Sequence, residues 1–333
     1  MKTRIGAIGG IFLMALLVLS GCGSSKGSSS ESNSEEGKKE TFKIGITQFV
    51  AHPSLDEALK GFQQAIKDKG LNVDYDIQNA QGDQSNTQTI ANNFVGDNVD
   101  LIFANATPSA LAAANATKDI PIVFTSVTDP VGAGLVKEME NPGGNVTGTT
   151  DTHPDAIPKT VKFIDQYLDG KRIGMIYNSG EQNSVAQIDL VKKATEGTDL
   201  KIVEASVSTS AEVKQAAESL VGKVDCFYII TDNTVVSALD SVISVANEND
   251  IPLFVGELDS VKKGGFAAYG FEYYDIGYEA GEMAAKILTE GKKPSELPVQ
   301  YPQNLKLLIN KKAATEMNVK ILDEWSKEAE FIE

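Results

Sequence analysis

Residues 172–184 read RIGMIYNSGEQNS, and they repeat in the middle of the chain the pattern of residues 43–54, KIGITQFVAHPS. Each copy consists of a basic residue, a short apolar strand, a turn of small and polar residues, and a helix start. Ser54 and Ser184 each stand three residues before Glu or Gln, so both predicted helices begin with a capping-box pattern. The two copies lie about 130 residues apart, which indicates a duplicated half.

Other segments repeat at nearly the same offset. From residue 41 onward, short apolar runs alternate with helical patterns, which is typical of parallel α/β units. The run DCFYII at 225–230 repeats DLIFA at 100–104, and DIPLF at 250–254 repeats DIPIV at 119–123. We therefore predict an α/β protein with two doubly wound parallel-sheet lobes, and we expect the function to lie between them.

The segment after residue 260 does not fit a third copy of the repeat. We expect it to complete both lobes by passing between them again. The predicted crossings lie near residues 150–158, 260–265 and 298–304, which gives a three-strand hinge. The predicted first lobe is 41–155 with 262–300, and the predicted second lobe is 156–261 with 301–333.

The first 40 residues predict export and anchoring. Residues 1–21 contain basic residues followed by an apolar run that suits a signal-peptide core and is too short to span a bilayer. The run ends in LSGC, which resembles the bacterial lipobox and implies cleavage before Cys22 and attachment of a lipid with acyl chains such as palmitate. Residues 23–40 carry no apolar side chain, so we expect residues 22–40 to be a lipidated, flexible tether.

Charge and composition limit the possible partners. The net charge of −16 argues against a nucleic-acid partner, because phosphate binding requires a basic face. Cys226 is the other cysteine besides Cys22, so the mature protein has no internal disulfide and Cys226 is expected to be a buried thiol. His52 and His153 each adjoin a proline and lack metal-ligand spacing. We therefore expect no metal and no cofactor, and we assign both histidines to loops or caps.

Six short segments together resemble the substrate-binding lipoproteins of ABC transporters, specifically the tryptophan- and tyrosine-binding family. They are FVAHPSLD at 49–56, NAQGD at 79–83, FTSVTDPV at 124–131, GNVTG at 144–148, YNSGEQNS at 177–184 and TDNT at 231–234. The resemblance covers about residues 43–315 and implies a type I periplasmic-binding fold whose lobes close on a ligand.

The same resemblance implies a place and a role. It implies a receptor that a lipid anchors to the outer face of the bacterial cytoplasmic membrane. This receptor delivers its ligand to an ABC permease, which is powered by a separate ATPase. We expect a monomer whose ligand is a small amino acid, aromatic by resemblance: tryptophan, tyrosine or phenylalanine.

The expected binding residues follow the strands. In parallel α/β sheets, ligands bind beyond the carboxyl ends of the strands, where helix N-termini point. The loops expected there are rich in Ser, Thr, Asn, Asp and Glu, and opposed lobes would direct them into one crevice. The candidate ligand-binding residues are Phe49, Thr107, Ser126, Thr128, Asn178, Glu181, Asn183, Ser184, Asp232, Asn233 and Phe271.

An α-amino acid needs an anion site, a cation site and a side-chain pocket. The helix starts near Thr107 and Ser184 suit the carboxylate, because helix N-termini have unpaired N–H groups. Asp232 and Glu181 are the predicted counter-charges for the ammonium group. Two alternatives stay open: the hydroxyl and carboxylate side chains cap helices, and the aromatic candidates belong to the core.

The sequence also bears on two other classes of function. An enzyme is disfavoured because the sequence has no G-x-S-x-G elbow, phosphate loop or H-E-x-x-H zinc motif. A surface adhesin or signalling receptor could use the same tethered pair of lobes. We expect a non-enzymatic receptor, with the adhesin or sensor as the alternative.

Overall fold

The computed structural model describes residues 41–333, so the predicted signal peptide, the lipidation site Cys22 and the tether lie outside the described residues. The described strands are β1 (Thr41–Gln48), β2 (Asn72–Asn79), β3 (Leu101–Asn105), β4 (Ile122–Val127), β5 (Val146–Thr150), β6 (Arg172–Asn178), β7 (Lys201–Val207), β8 (Cys226–Ile229), β9 (Leu253–Val255), β10 (Ala267–Gly270), β11 (Lys306–Asn310) and β12 (Ala329–Ile332). The described α-helices are α1 (Pro53–Asp68), α2 (Gln84–Gly96), α3 (Thr107–Ala116), α4 (Ala156–Tyr167), α5 (Gln182–Ala194), α6 (Val213–Leu220), α7 (Asn233–Ser237), α8 (Leu239–Glu248), α9 (Leu258–Lys263), α10 (Tyr273–Glu290) and α11 (Lys311–Glu316).

The described strands form two sheets with the same internal order. The first sheet has the order β2-β1-β3-β4-β5 and is parallel throughout. The second has the order β12-β11-β10-β9-β8-β6-β7 and is parallel except between β10 and β11. The series β7-β6-β8-β9-β10 corresponds strand by strand to β2-β1-β3-β4-β5. The predicted pair of doubly wound α/β lobes is therefore confirmed.

One predicted boundary was wrong. We expected residues 262–270 to belong to the first lobe, but β10 lies in the second sheet beside β9 and β11. The physical reason is the duplication itself, because β10 is the second lobe's counterpart of β5. The chain returns to the first lobe only after Gly270, and α10 then packs on α1.

The contact between α1 and α10 depends on glycine. A Cβ atom at Gly277 would lie 1.9 Å from the backbone oxygen of Ala58, and one at Gly61 would lie 2.0 Å from that of Tyr274. The two helices therefore approach each other more closely than any larger side chain permits. This close approach fixes α10 to the first lobe immediately after the chain has crossed from the second.

The chain passes between the lobes three times. The first crossing follows β5, the second follows β10, and the third is the segment that begins near Val299. The third crossing is fixed to the end of β5, since Thr150 N donates to Gln300 O at 2.9 Å and Gln300 N donates to Gly148 O at 3.0 Å. Three neighbouring backbone segments therefore form the hinge, with the carboxyl ends of both sets of strands beside it.

Candidate functional site

The two lobes meet directly where their strands end. Ser54 Oγ, from the first lobe, donates to Glu257 Oε2 of the second at 2.7 Å, and both side chains are buried. Gln187 Nε2, from the second lobe, lies 3.3 Å from Thr128 Oγ1 of the first. His52 Nε2 lies 3.5 Å from Asn233 Oδ1. The cleft between the lobes is therefore closed, with polar side chains of both lobes inside it.

Both predicted capping boxes were wrong. Helix α1 begins at Pro53 with His52 as its N-cap, and α5 begins at Gln182 with Glu181 as its N-cap; neither cap forms a side-chain hydrogen bond to its helix. Ser54 donates to Glu257, and Ser184 Oγ donates to Asp232 Oδ2 at 2.6 Å. These hydroxyls contact buried carboxylates because both helices begin earlier than the sequence pattern indicates.

Glu181 and Asp232 are the carboxylates that the sequence assigned to the ligand's ammonium group. Glu181 accepts hydrogen bonds from the Asn183 and Asn233 side-chain amides and from both the backbone N–H and the hydroxyl of Thr234. Asp232 accepts from Ser184 Oγ and from two backbone N–H groups. Both carboxylates are thus surrounded by donors of their own lobe, and they hold the framework of the site together.

The other second-lobe candidates belong to the same network. Asn178 Nδ2 donates to Thr234 Oγ1 at 2.9 Å, and the Asn178 backbone N–H donates to Asp232 at 2.6 Å. Asp232 caps α7 by accepting from Val235 N, so the capping alternative is confirmed for this residue. Burial, and then the charge of Glu181, raises the pKa of Asp232 above its ordinary value.

The first-lobe candidates include hydroxyl groups with no partner. Thr107 Oγ1 and Ser126 Oγ are buried and have no hydrogen-bond partner among the described residues. The N-cap of α3 is Ala106, so the Thr107 side chain does not cap the helix, and the capping alternative is wrong for this residue. Ala106 and Ser126 have φ angles of +85° and +57°, which are costly for residues with a Cβ atom and are common at functional sites.

Sequence reasoning missed Asp151, which immediately follows β5 in the first hinge crossing. Its Oδ1 accepts from Thr128 Oγ1 at 2.9 Å, and its Oδ2 accepts from the Tyr273 hydroxyl at 3.0 Å. Burial raises the pKa of Asp151 to about 6. The available signal was its position directly after a strand, the same signal that selected Asp232.

Glu257 was also missed, although its loop follows β9. Its Oε2 accepts from Ser54 Oγ and from Ser260 Oγ at 2.7 and 2.8 Å, and burial raises its pKa to about 7. His52, which we assigned to a loop or cap, is buried at the cleft, and burial lowers its pKa to about 4. His52 is therefore neutral near pH 7, and its Nδ1 atom has no partner among the described residues.

The two aromatic candidates are buried in apolar surroundings. Phe49 packs in the first-lobe core with Leu55 and Ala80. Phe271 lies at the second crossing, where its ring stacks on that of Tyr273 with centroids 5.5 Å apart. Whether either ring contacts a ligand stays a prediction.

The remaining features of residues 41–333 concern a thiol, metal ligands and membrane spans. Cys226 is a free, buried thiol whose pKa is raised by that burial. Nowhere in this part of the chain do three or more His, Cys, Asp or Glu side chains cluster as metal ligands would. Every helix within it is too short or too polar to cross a bilayer.

Two lobes closed on a buried polar cleft define the class of two-domain ligand-binding proteins. Residues 43–332 match the family described as ABC transporter substrate binding protein, and the chain belongs to this family. A tyrosine-binding protein from Clostridioides difficile (strain R20291) is 47% identical over 304 residues, which cover 90% of this chain and 87% of that protein.

Two solved structures bear on the conformation. A Streptococcus pneumonia ABC domain in complex with L-Trp has a TM-score of 0.83 at 35% identity, covering 88% of this chain and 100% of that one. The ligand-free, open structure of a Clostridium difficile substrate-binding protein with adhesive properties has a TM-score of 0.64 at 42% identity, covering 88% of this chain and 99% of that one. The L-Trp complex has the lower identity but the higher TM-score, and the structure described as open is less similar in shape. This difference agrees with the closed cleft of the present protein.

Proposed function

We propose that this protein is an extracytoplasmic receptor of an ABC importer that binds an aromatic amino acid in the interlobe cleft. In this proposal the lipid on Cys22 anchors the protein to the outer face of the cytoplasmic membrane, and the closed, loaded form delivers its ligand to the permease and its ATPase. Relatives that are tyrosine-binding or bound to L-Trp support the ligand class.

The observation that carries the proposal is a pair of buried hydroxyls without partners. Thr107 Oγ1 and Ser126 Oγ lie at the ends of the neighbouring strands β3 and β4, which are joined by a bond from Ala106 N to Thr125 O at 3.1 Å. Buried donors without partners are costly in a finished core. Together with the N-terminus of α3, they form a site suited to the carboxylate of an amino acid.

The size of the ligand's side chain indicates why such anchors are needed. Enclosing roughly 200 Å² of aromatic surface contributes about 5 kcal/mol, whereas a micromolar complex requires about 8 kcal/mol net of the entropy lost on association. Apolar burial alone is therefore insufficient. Charged and hydrogen-bonded contacts to the carboxylate and ammonium groups must provide the remainder.

Isothermal titration of the purified protein against the twenty amino acids tests this proposal. We expect saturable binding of tyrosine, tryptophan or phenylalanine. The absence of binding tighter than about millimolar for every amino acid would overturn it. Mass spectrometry of any small molecule that co-purifies with the protein would identify the ligand independently.

A surface adhesin is the second candidate, favoured by one relative. The open Clostridium difficile structure, 42% identical, belongs to a substrate-binding protein with adhesive properties. A strain that lacks the present protein distinguishes the two roles. Reduced uptake of the amino acid supports the receptor, whereas reduced attachment with intact uptake supports the adhesin.

A further inference from the structure

We propose that Asp151 is the counter-charge for the ammonium group of the bound amino acid. This inference rests on the proposed function, because it requires a zwitterionic ligand. It replaces Asp232 and Glu181, the counter-charges predicted from the sequence, with a carboxylate of the first hinge crossing. The position of Asp151, its incomplete set of partners and the unpartnered side chains around it all support the assignment.

Asp151 lies one strand away from the carboxylate site. Its backbone N–H donates to Val127 O at 3.3 Å, which places it beside the end of β4, where Ser126 lies. Neighbouring strands are about 4.8 Å apart, and the amino nitrogen and carboxyl carbon of an amino acid are about 2.5 Å apart. A carboxylate bound at Thr107 and Ser126 therefore brings the ammonium group within reach of Asp151.

The hydrogen-bond partners distinguish Asp151 from Glu181 and Asp232, the two carboxylates predicted from the sequence. Glu181 accepts four hydrogen bonds from protein groups and Asp232 accepts three. Asp151 accepts two, one at each oxygen, and both donors are neutral hydroxyls. Because an ionised carboxylate has about four acceptor positions, both oxygens of Asp151 can accept a further donor.

The charge of Asp151 is also uncompensated. Within residues 41–333, no Lys, Arg or His forms an ion pair with it. A carboxylate buried with hydroxyl partners alone is costly, and its raised pKa reflects that cost. An ammonium group from the ligand would supply the missing positive charge.

Unpartnered side chains lie on both sides of this position. On the first-lobe side, Ser126 is only 4% exposed and its Oγ has no hydrogen-bond partner among the described residues. Asn183 Oδ1, in a residue 2% exposed, has none on the second-lobe side. Gln187 Nε2 connects the two lobes, since it lies 3.3 Å from Thr128 Oγ1 of the first lobe and 3.4 Å from the backbone oxygen of Asn183 in the second. The Asn183 side-chain oxygen is a buried acceptor in the same closed cleft, and acceptors of this kind bind ammonium N–H groups.

Glu257 is the rival counter-charge. It is buried at the same cleft, and both of its hydrogen bonds go to Oε2. One of those donors, Ser54, comes from the opposite lobe, so closure of the lobes already gives Glu257 a hydrogen-bond donor without any ligand. We therefore assign Glu257 to the contact between the lobes and Asp151 to the ligand, and the experiment separates the two.

The test compares ligands with and without the amino group. Titrations of the full chain near neutral pH would use L-tyrosine, L-tryptophan and their deaminated analogues, hydroxyphenylpropionate and indolepropionate. Asp151→Asn should weaken binding of the amino acids by about 10- to 100-fold and change binding of the deaminated acids by less than about threefold. Asp155→Asn, an exposed acid nearby, controls for the change in net charge.

Tyr273→Phe provides a second arm if Asp151→Asn fails to fold. It removes one hydroxyl that positions the Asp151 carboxylate, so it should reduce amino acid binding by about 3- to 10-fold with the deaminated acids little affected. Equal losses for both kinds of ligand would overturn the inference and make Asp151 a structural residue.

Other outcomes would also overturn the inference. A selective loss in Glu257→Gln, with selectivity retained in Asp151→Asn, would assign the ammonium to Glu257. If the unsubstituted protein bound none of the twenty amino acids, the proposed function would fail, and this inference with it. Retained selectivity in Asp151→Asn would overturn the inference alone.

Discussion

Replacing Ser54 with alanine isolates one contact that exists only when the lobes are closed. Ser54 Oγ in the first lobe and Ser260 Oγ in the second both donate to Glu257 Oε2, at 2.7 and 2.8 Å. The bond from Ser260 remains when the lobes separate, because donor and acceptor belong to the same lobe. The bond from Ser54 is lost, so Ser54→Ala should destabilise the closed form selectively.

The size of the effect follows from the chemistry of the acceptor. A hydrogen bond to a charged group contributes about 1.5–3 kcal/mol. Ser260 still donates to the same oxygen, and Glu257 has a pKa of about 7, so the carboxyl group can take up a proton when a donor is lost. We therefore expect the lower end, about 1.5 kcal/mol, which corresponds to about a tenfold weaker apparent affinity because ligand binds through the closed form.

Calorimetric titration with L-tyrosine and L-tryptophan measures this loss, and small-angle scattering measures the fraction of closed protein with and without ligand. Ser260→Ala is the matched control, because it removes the other donor to the same atom. It should lower the free energy of unfolding and have the smaller effect on affinity. If both variants lowered affinity equally, or if Ser54→Ala left affinity unchanged, the assignment of Ser54 to closure would be refuted.

Three other substitutions test the framework. Glu181→Ala should lower the free energy of unfolding in urea by about 3 kcal/mol or more, since it leaves four buried donors without their acceptor; a loss of affinity at unchanged stability would contradict this. Gly277→Ala should cost about 1–3 kcal/mol or more, because its methyl group would overlap the backbone of Ala58, whereas Gly96→Ala, with open space around it, should be nearly neutral in the same denaturation. Burial raises the pKa of Glu257 from 4.5 to about 7, so the folded state binds a proton on this carboxyl group more tightly than the unfolded state does. The resulting contribution to the free energy of unfolding is complete below about pH 4.5 and is lost as the pH rises through 7. The melting temperature of the unsubstituted protein minus that of Glu257→Gln should therefore fall between pH 5 and 8, and a constant difference would contradict the shift.

The fold was largely predictable because duplication appears in the sequence at a nearly constant offset. Aligning the repeats at 43–54 and 172–184 indicates two lobes built on the same α/β plan. The misplacement of β10 has a specific cause: its counterpart β5 is VTGTT, whereas β10 is AAYG, and the two share no apolar pattern. The boundary after β10 depends on the contact between α10 and α1, which joins segments more than 200 residues apart and leaves no local signal.

The site was predictable as a region but not as a set of roles. The rule that ligands bind beyond strand ends located the loops that contain Thr107, Ser126 and Asp232. It did not indicate which carboxylates are already surrounded by protein donors, because that depends on contacts between loops distant in sequence. Glu181 and Asp151 look equally suitable in the sequence, and only the number of donors around each separates a framework residue from a candidate counter-charge.

The repeat that revealed the fold also shows why local sequence could not assign these roles. Ser54 is the second residue of α1 and Ser184 is the third residue of α5, and both donate to a buried carboxylate. The acceptor of Ser184 is Asp232 in the same lobe, so that bond persists in every position of the hinge. The acceptor of Ser54 is Glu257 in the opposite lobe, so that bond forms only on closure. Two serines with the same local pattern therefore differ in function because the hinge separates one of them, and not the other, from its partner.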